Sequence, residues 1–571
     1  MPTNLRQGYG RQACIHCRQP FSVPEEDLEF YKLVSPMIAG KRYLIPPPTH
    51  CPACRRQRRL AWRNEKTLYR RTCDYSKKTI LSIYSPDKPF TVYESDVWNS
   101  DVWDPMTYGR EIDWNRPFFD QWNDLHHAVP LPSFNLRFQN NNSEYTNLSQ
   151  RNNNCYLIFA GNDNEDCYYG TYLHRNHRVV DGFLTFDSES CYEVIDAYNC
   201  NRLFFSEDCR NCSDSLLLKS CQGCQNCIGC VNLVNKNLHI GNQPCTKEEY
   251  TKKLNEITHN RAAFLVAEQT FQALILQHPH KALSGYSNEN VTGDHITNCR
   301  NVRECFDMTH DEDCKYCVWM HQSRNCYDCY GWGMTGELGL ENHLTGQGFY
   351  NVQFSESSWG NVSNLMYCRY CLDTSSNLFG CIGLRHKEYC ILNKQYTKEE
   401  YESILPKLIE HMIEHGEYGQ FFPAQLSPYG YNETVAQEYF PLTQDQIEAL
   451  GWNWKQESNE APKVTKTIPG SQLPESIADV PDEIVEWAVV CDVTGRPFKI
   501  TPQELQFYRD MGLPLPRKCF DQRHKDRMAK RTPRQLWERR CGKCGEEIRT
   551  SYPPSRPDIV YCEDCYLDEV H

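Results

Sequence analysis

At 571 residues, with 40% hydrophobic and 12% aromatic side chains, the chain is long enough for three or four domains with cores of their own. Its 32 cysteines exceed ordinary usage but are too dilute for a small disulfide scaffold. The opening MPTNLRQGYGRQ has no apolar signal core, and no run approaches a membrane span, so a cytoplasmic protein with reduced thiols and no membrane partner is expected. The net charge of -13 is unevenly spread: residues 1–75 carry 14 Lys+Arg against 6 Asp+Glu, and Arg509 to Arg549 carry 13 against 6. An acidic body therefore lies between two basic ends.

In chain order, the first signal is Cys14-x2-Cys17 followed by Cys51-x2-Cys54. Two thiolate knuckles of this kind make the closed tetrahedral site of structural zinc. If the segment after Cys51 is helical, Arg55, Arg59, Arg63 and Lys66 fall on one stripe, extended by Arg70. Residues 1–130 read as an N-terminal tandem finger module, its first finger intact. The second is degenerate, with Cys73, Ser76, Glu94 and Val97 at the ligand positions.

The body carries most of the cysteines at steps of 9 and 12, giving a period near 21 (Cys191 to Cys212, Cys305 to Cys326). Short apolar pieces such as CYLIFAG and frequent Asn suggest coils of a parallel β-helix, thiols inward and amides capping the bends. Further zinc clusters are the rival reading of those cysteines. GCVNLVNKNLHIGNQPCTKEEY, Gly229 to Tyr250, repeats as GCIGLRHKEYCILNKQYTKEEY, Gly380 to Tyr401, each ending in a capping box (Thr246/Glu249, Thr397/Glu400) that starts a closing helix. Two solenoid lobes follow, 131–285 and 286–420. Residues 421–480 form an aromatic and Pro-rich arm, with a helix from Thr443 and a linker from Lys455 to Ile484.

Residues 481–571 form the C-terminal tandem finger module. Its second finger, Cys541, Cys544, Cys562 and Cys565, is intact, so two structural Zn2+ ions are expected. Its first reads Cys491, Thr494, Cys519 and Gln522, with His524 as a conceivable substitute ligand. Residues 51–98 match 519–566 without gaps at 15 of 48 positions, so the ends are copies. Arg523, Arg527, Arg531 and Arg534 repeat the basic stripe, flanked by Trp537 as the first is by Trp62 and Tyr69. Metal ligands decayed where the stripe did not. That pattern points to a polyanion site, because guanidinium forks fit phosphate and rings stack on bases.

The run CIHCRQPFSVPEEDLEFY…CPACRRQRR resembles small bacterial zinc-ribbon (treble-clef-like) domains, and CGKCGEEIRTSYPPSRPDIVYCEDC resembles their companion finger. With SPYGYNETVAQEYFPLT, the whole arrangement is similar to a zinc-ribbon protein family of candidate-phyla bacteria with reduced genomes. The resemblance implies zinc and a cytoplasmic setting and brings no particular activity.

The expected fold is mainly β with α: a duplicated β-helix or solenoid-like body flanked by treble-clef/zinc-ribbon modules. The expected function is non-enzymatic binding of structured RNA or the ribosome through the Arg-rich finger helices. A protein-interaction scaffold using the solenoid face is the alternative. A carbohydrate-active β-helix enzyme is a third, with Asp311, Glu312, Asp313 and Asp328 as the available carboxylates. No GxSxG, P-loop, HExxH or dinucleotide fingerprint is present, and His126-His127 read equally as satisfied surface or core histidines or as ligands.

Overall fold

The computed structural model describes residues 11–456, 464 and 466–570. Residues 1–10 of the stretch read for a signal core, and part of the expected linker (457–463 and 465), lie outside them. No helix among the described residues is long and apolar enough to cross a membrane.

The body is mostly parallel sheet, in two solenoids. One ladder of 11 strands runs from Arg137–Phe138 to Asn237–Ile240, closed by the antiparallel Gln243–Pro244. The second solenoid runs from Thr292–Thr297 to Glu388–Ile391. The coil period differs from the expected 21. Tyr156 pairs with Tyr168, Tyr168 with Val180 and Val180 with Tyr192, so a coil is 12 residues; it lengthens to 13 where Glu337 pairs with Tyr350.

Geometry explains the cysteine rhythm. Arg175, Arg178, Asp181, Leu184, Asp187, Ser190, Glu193 and Asp196 have φ between 51° and 57°, so every third residue is left-handed and the chain turns four times per coil. Such a backbone is costly for Leu, Tyr or Phe, and it persists because hydrogen bonds to the neighbouring coils over-determine it: Asp163 N donates to Gln150 O, and Arg175 N to Asn162 O. The residue after each left-handed one points inward, as Cys191, Val194, Ala197 and Cys200 do. Only four side chains fill each narrow coil, which favours small ones. Steps of 9, 12 and 21 are all multiples of this triplet.

The inward thiols bond in register. Cys155 Sγ donates to Asn153 O at 3.4 Å and to Asn164 O in the next coil at 3.5 Å, and Cys200 repeats this with Tyr198 and Cys209. All 32 cysteines are free thiols, and no solenoid group brings three ligand atoms together among the described residues in the way zinc needs, except one that contains no cysteine. Asn plays two parts rather than the one expected. At corners Asn142 and Asn199 bond Asn154 and Asn211, but Asn152, Asn164 and Asn176 form an internal ladder, each side-chain oxygen accepting the N–H one coil on.

Both capping boxes form, and the helices Lys247–His259 and Lys398–Glu414 cover the last coils; Tyr250 donates to Asp214 O. The aromatic arm drapes as expected: Phe421 and Phe422 are buried against Trp62 and Trp122, and Tyr429 stacks on Tyr84. The described part of the linker is not free. Thr467–Pro469 pairs with Ala488–Val490, and Leu473, Ile477 and Ile484 join the core beside Tyr508.

Asp311 occupies an inward position in the second solenoid, its Oδ1 accepting from Ser323 N as the ladder Asn oxygens do and its Oδ2 accepting from Thr309 N. Burial pushes its carboxyl up to about 7, against the pull of those two amides. An unfolded Asp titrates near 4, so folding takes up a proton between these values and stability falls as pH rises through that window. Asp311→Asn is expected to melt above the wild type at pH 8 and level with it at pH 4. An Asn variant that melts lower at pH 8 would mean that the carboxylate is accommodated.

Candidate metal centres and the arginine clasp

Each intact finger builds its tetrad from a hairpin knuckle and a helix start. Cys14 and Cys17 sit in the turn after Gln12–Ala13, while Cys51 caps Pro52–Leu60 and Cys54 lies in its first turn. Cys541 and Cys544 follow Trp537–Arg540, and Cys562 and Cys565 open Glu563–Val570. In each tetrad the four Sγ atoms lie within 4.8 Å of one another. The Sγ separations of 3.7 Å for Cys17–Cys51 and 3.8 Å for Cys544–Cys562 match the roughly 3.8 Å edge of a tetrahedron with zinc–sulfur bonds of about 2.3 Å. The donor set fits a structural divalent ion such as zinc, held with no open position. Hydrogen bonding from Cys54 leads in bringing the Cys51 thiol down to about 5, against burial. At Cys541 burial pushes up, and the amides of Cys544, Cys562 and Lys543 outweigh it, to about 6.

The two eroded fingers keep the fold without the ligands. All four knuckles place a left-handed residue at the same point: Arg18, Lys77, Gly495 and Gly545. Glu94 N donates to Cys73 Sγ at 3.3 Å as Cys562 N does to Cys541 Sγ, but Ser76 and Val97 supply no thiolate. Thr494 Oγ1 stands 3.8 Å from Cys519 Sγ beside Cys491, and His524 is elsewhere, bonded to Glu438 at 3.0 Å and Lys66 at 2.6 Å. Among the described residues neither group gathers three ligand atoms.

The basic stripes do not face outward, contrary to the sequence reading. Pro52–Leu60 and Phe520–Lys530 lay their arginines onto solenoid corners, and Arg63, Arg531 and Arg534 beyond the helix ends turn the same way. Arg55 meets Asp328 at 2.8 Å, and Arg59 bridges Asp328 and Glu341 at 3.1 Å each. In the other copy Arg523 meets Asp181 at 2.8 Å, and Arg527 bridges Asp181 and Glu193 at 2.9 and 2.8 Å. The copies agree further. Arg55 lies over Tyr316 and Arg523 over Tyr169, and those tyrosines reach Asp27 and Glu504, equivalent residues of the two fingers. Each stripe therefore grips a Tyr-Asp-Glu row with one residue per coil: Tyr316, Asp328, Glu341 and Tyr169, Asp181, Glu193.

The remaining stripe residues tie the parts together. Arg63 pairs with Glu65 and lies over Tyr330. Arg531 bonds Asp196 of the first solenoid and Asp307 of the second, and Arg534 bonds Asp307 at 2.8 Å and Tyr330. Lys66 pairs with Glu438 of the aromatic arm at 2.6 Å, and Arg56 donates to Arg534 O, so the two ends of the chain meet. Only Arg70 is solvent-facing, bonded to Tyr145 OH. Asp307 and Glu438 are held well below the usual carboxylate range: burial opposes this, but Arg531 and Arg534 at the one, and Lys66 and His524 at the other, outweigh it.

Sequence reasoning named Asp328 only as a carboxylate for glycoside chemistry and missed Asp181, Glu193, Glu341 and Arg58, which meets Glu341 at 3.0 Å. Their signal was the 12-residue spacing of Tyr169, Asp181 and Glu193. Asp196, His295 and Asp307 also lie within metal-binding distance of one another, but Arg531 and Arg534 together already pair with the two carboxylates, so the group does not fit a divalent ion.

No family model and no curated protein matches the chain. Among solved structures one similarity is to "Crystal structure of putative acetyltransferase from Desulfovibrio desulfuricans G20", 11% identical, spanning 43% of this chain and 63% of that one, with a TM-score of 0.09. A likeness at that score carries neither fold nor activity.

Metal analysis of the purified chain is expected to give two zinc equivalents. Cys14→Ser and Cys541→Ser should each remove one, while Cys73→Ser and Cys491→Ser leave two. Loss of an equivalent in either of the latter would return a ligand to the eroded fingers.

Proposed function

We propose that the chain is a non-enzymatic, zinc-stapled scaffold that takes up a protein partner on the exposed flank of its first solenoid. The observation that carries this reading is the direction of the stripes: Arg55, Arg59, Arg63, Arg523, Arg527, Arg531 and Arg534 spend their charge on carboxylates and rings of the molecule itself. What faces solvent is a set of rows one coil apart. Arg151 pairs with Asp163 and Arg175 with Asp187, and the next row runs Asn153, Glu165, His177 and Glu189. Fixed polar rows on an acidic body suit a protein surface of mixed or basic charge and repel a phosphate backbone.

The carboxylates weighed for glycoside chemistry support no paired site. Asp311 is inside a coil, Asp328 lies under Arg55 and Arg59, and Glu312 and Asp313 are taken by Arg300 and Asn301. Binding of structured RNA or the ribosome through the finger helices is the competing proposal, and it needs the stripes to come away from the body.

Affinity capture with the full chain after nuclease treatment is expected to retain a protein partner, and Asp163→Lys with Asp187→Lys to release it without changing zinc content or melting temperature. Capture lost to nuclease, or RNA affinity that falls steeply with salt and with Arg70→Glu, would replace the scaffold by the RNA reading.

A further inference from the structure

Between the two solenoids and the last finger lies a cleft of about 590 Å³, a volume typical of small-molecule sites. One wall is a row of the first solenoid with one residue per 12-residue coil: His174, Phe186, Tyr198 and Arg210. The three rings stack, His174 on Phe186 at 5.1 Å and 16°, and Phe186 on Tyr198 at 5.1 Å and 2°. Arg210 ends the stack, its guanidinium 4.1 Å from the Tyr198 ring and 5.1 Å from the ring of Tyr286, which approaches from the second solenoid.

Arg210 differs from the arginines of the clasp. Two tyrosine rings fix its plane, yet among the described residues no carboxylate lies within 4.0 Å and no acceptor takes its N–H groups. The other charges in the cleft are spoken for: Arg175 holds Asp187, Lys281 meets Glu563, and Asp307 belongs to Arg531 and Arg534. Asp208 accepts from Ser220 Oγ. A second polar group is also without a hydrogen bond. His280 lines the cleft at 2% exposure, stacked on Tyr552, with its Nε2 3.6 Å from the Asp558 carboxylate and neither ring nitrogen within hydrogen-bond reach of a partner. Trp319 adds apolar surface at the other end of the row, its ring 6.1 Å from that of His174.

We propose that this cleft binds a small molecule carrying one carboxylate on an apolar ring, the carboxylate taken by the Arg210 fork and the ring seated along the cleft-facing side of Tyr198 and Phe186. A fixed guanidinium edge suits the two oxygens of a carboxylate, and Asp208 in the same cleft adds a negative charge that favours a monoanion over a phosphate dianion. The cleft shares Arg175 and Asp187 with the edge of the partner-binding flank, while Arg210, Tyr286 and Trp319 lie outside that flank.

Saturation-transfer NMR on the full zinc-loaded chain, with benzoate, phenyl phosphate and benzamide as probes, tests this. Benzoate is expected to bind, to bind more tightly than either other probe, and to weaken about tenfold or more in Arg210→Gln with zinc content unchanged. Arg210→Lys should lose part of that affinity. If Arg210→Gln does not fold, Tyr286→Leu, which frees the guanidinium plane, is expected to weaken benzoate several-fold. No benzoate binding to the wild type, equal binding to the variants, or a preference for phenyl phosphate would overturn the proposal.

Discussion

The structure depends on a match between two periods. Arginines four apart on a helix are offset by roughly 6 Å along its axis, and carboxylates on successive coils by roughly 4.8 Å. The difference is within the reach of a guanidinium, so Arg59 and Arg527 each span two coils while Arg55 and Arg523 hold the lower one. These charges are out of water, where a pair gains little over a well-packed apolar contact but is costly to break, by about 3–5 kcal/mol when one partner is removed. The clasp therefore fixes register and orientation more than it adds net stability. Zinc has a supporting part, since the eroded fingers keep their hairpins and helices without a complete tetrad.

The duplication is crossed. The N-terminal stripe grips the second solenoid through Asp328 and Glu341, and the C-terminal stripe grips the first through Asp181 and Glu193. Arg531 and the Lys66–Glu438–His524 cluster then lock the halves where the ends meet. Selection on such an arrangement keeps arginines in both copies whether or not the adjacent tetrad holds metal. That accounts for the decay of Cys544-type positions to Ser76 and Thr494 beside an unchanged stripe.

Much of this was legible in the chain. The two tetrads, the capping boxes at Thr246 and Thr397, the parallel solenoid and the draping arm all follow from spacing and local chemistry. The coil length was not, because inward positions recur every three residues and any sum of triplets, 9, 12 or 21, separates two cysteines equally well. The direction of the stripes was not legible either. A row of arginines has the same pattern whether it meets phosphate or a carboxylate row, and its partners, Tyr169, Asp181 and Glu193, lie more than 300 residues away with only their 12-residue spacing to mark them. The acidic balance of the body was the available hint.

Buried arginine–carboxylate pairs, rather than metal, dock each finger module on its solenoid. A double-mutant cycle on Arg527→Met and Asp181→Leu, read as hydrogen-exchange protection of the Phe520–Lys530 amides in the full chain, tests it most directly. Each single variant is expected to lose protection equivalent to about 3 kcal/mol or more, and the double variant clearly less than the sum. Additive losses, or protection that follows zinc removal and ignores both substitutions, would contradict the account.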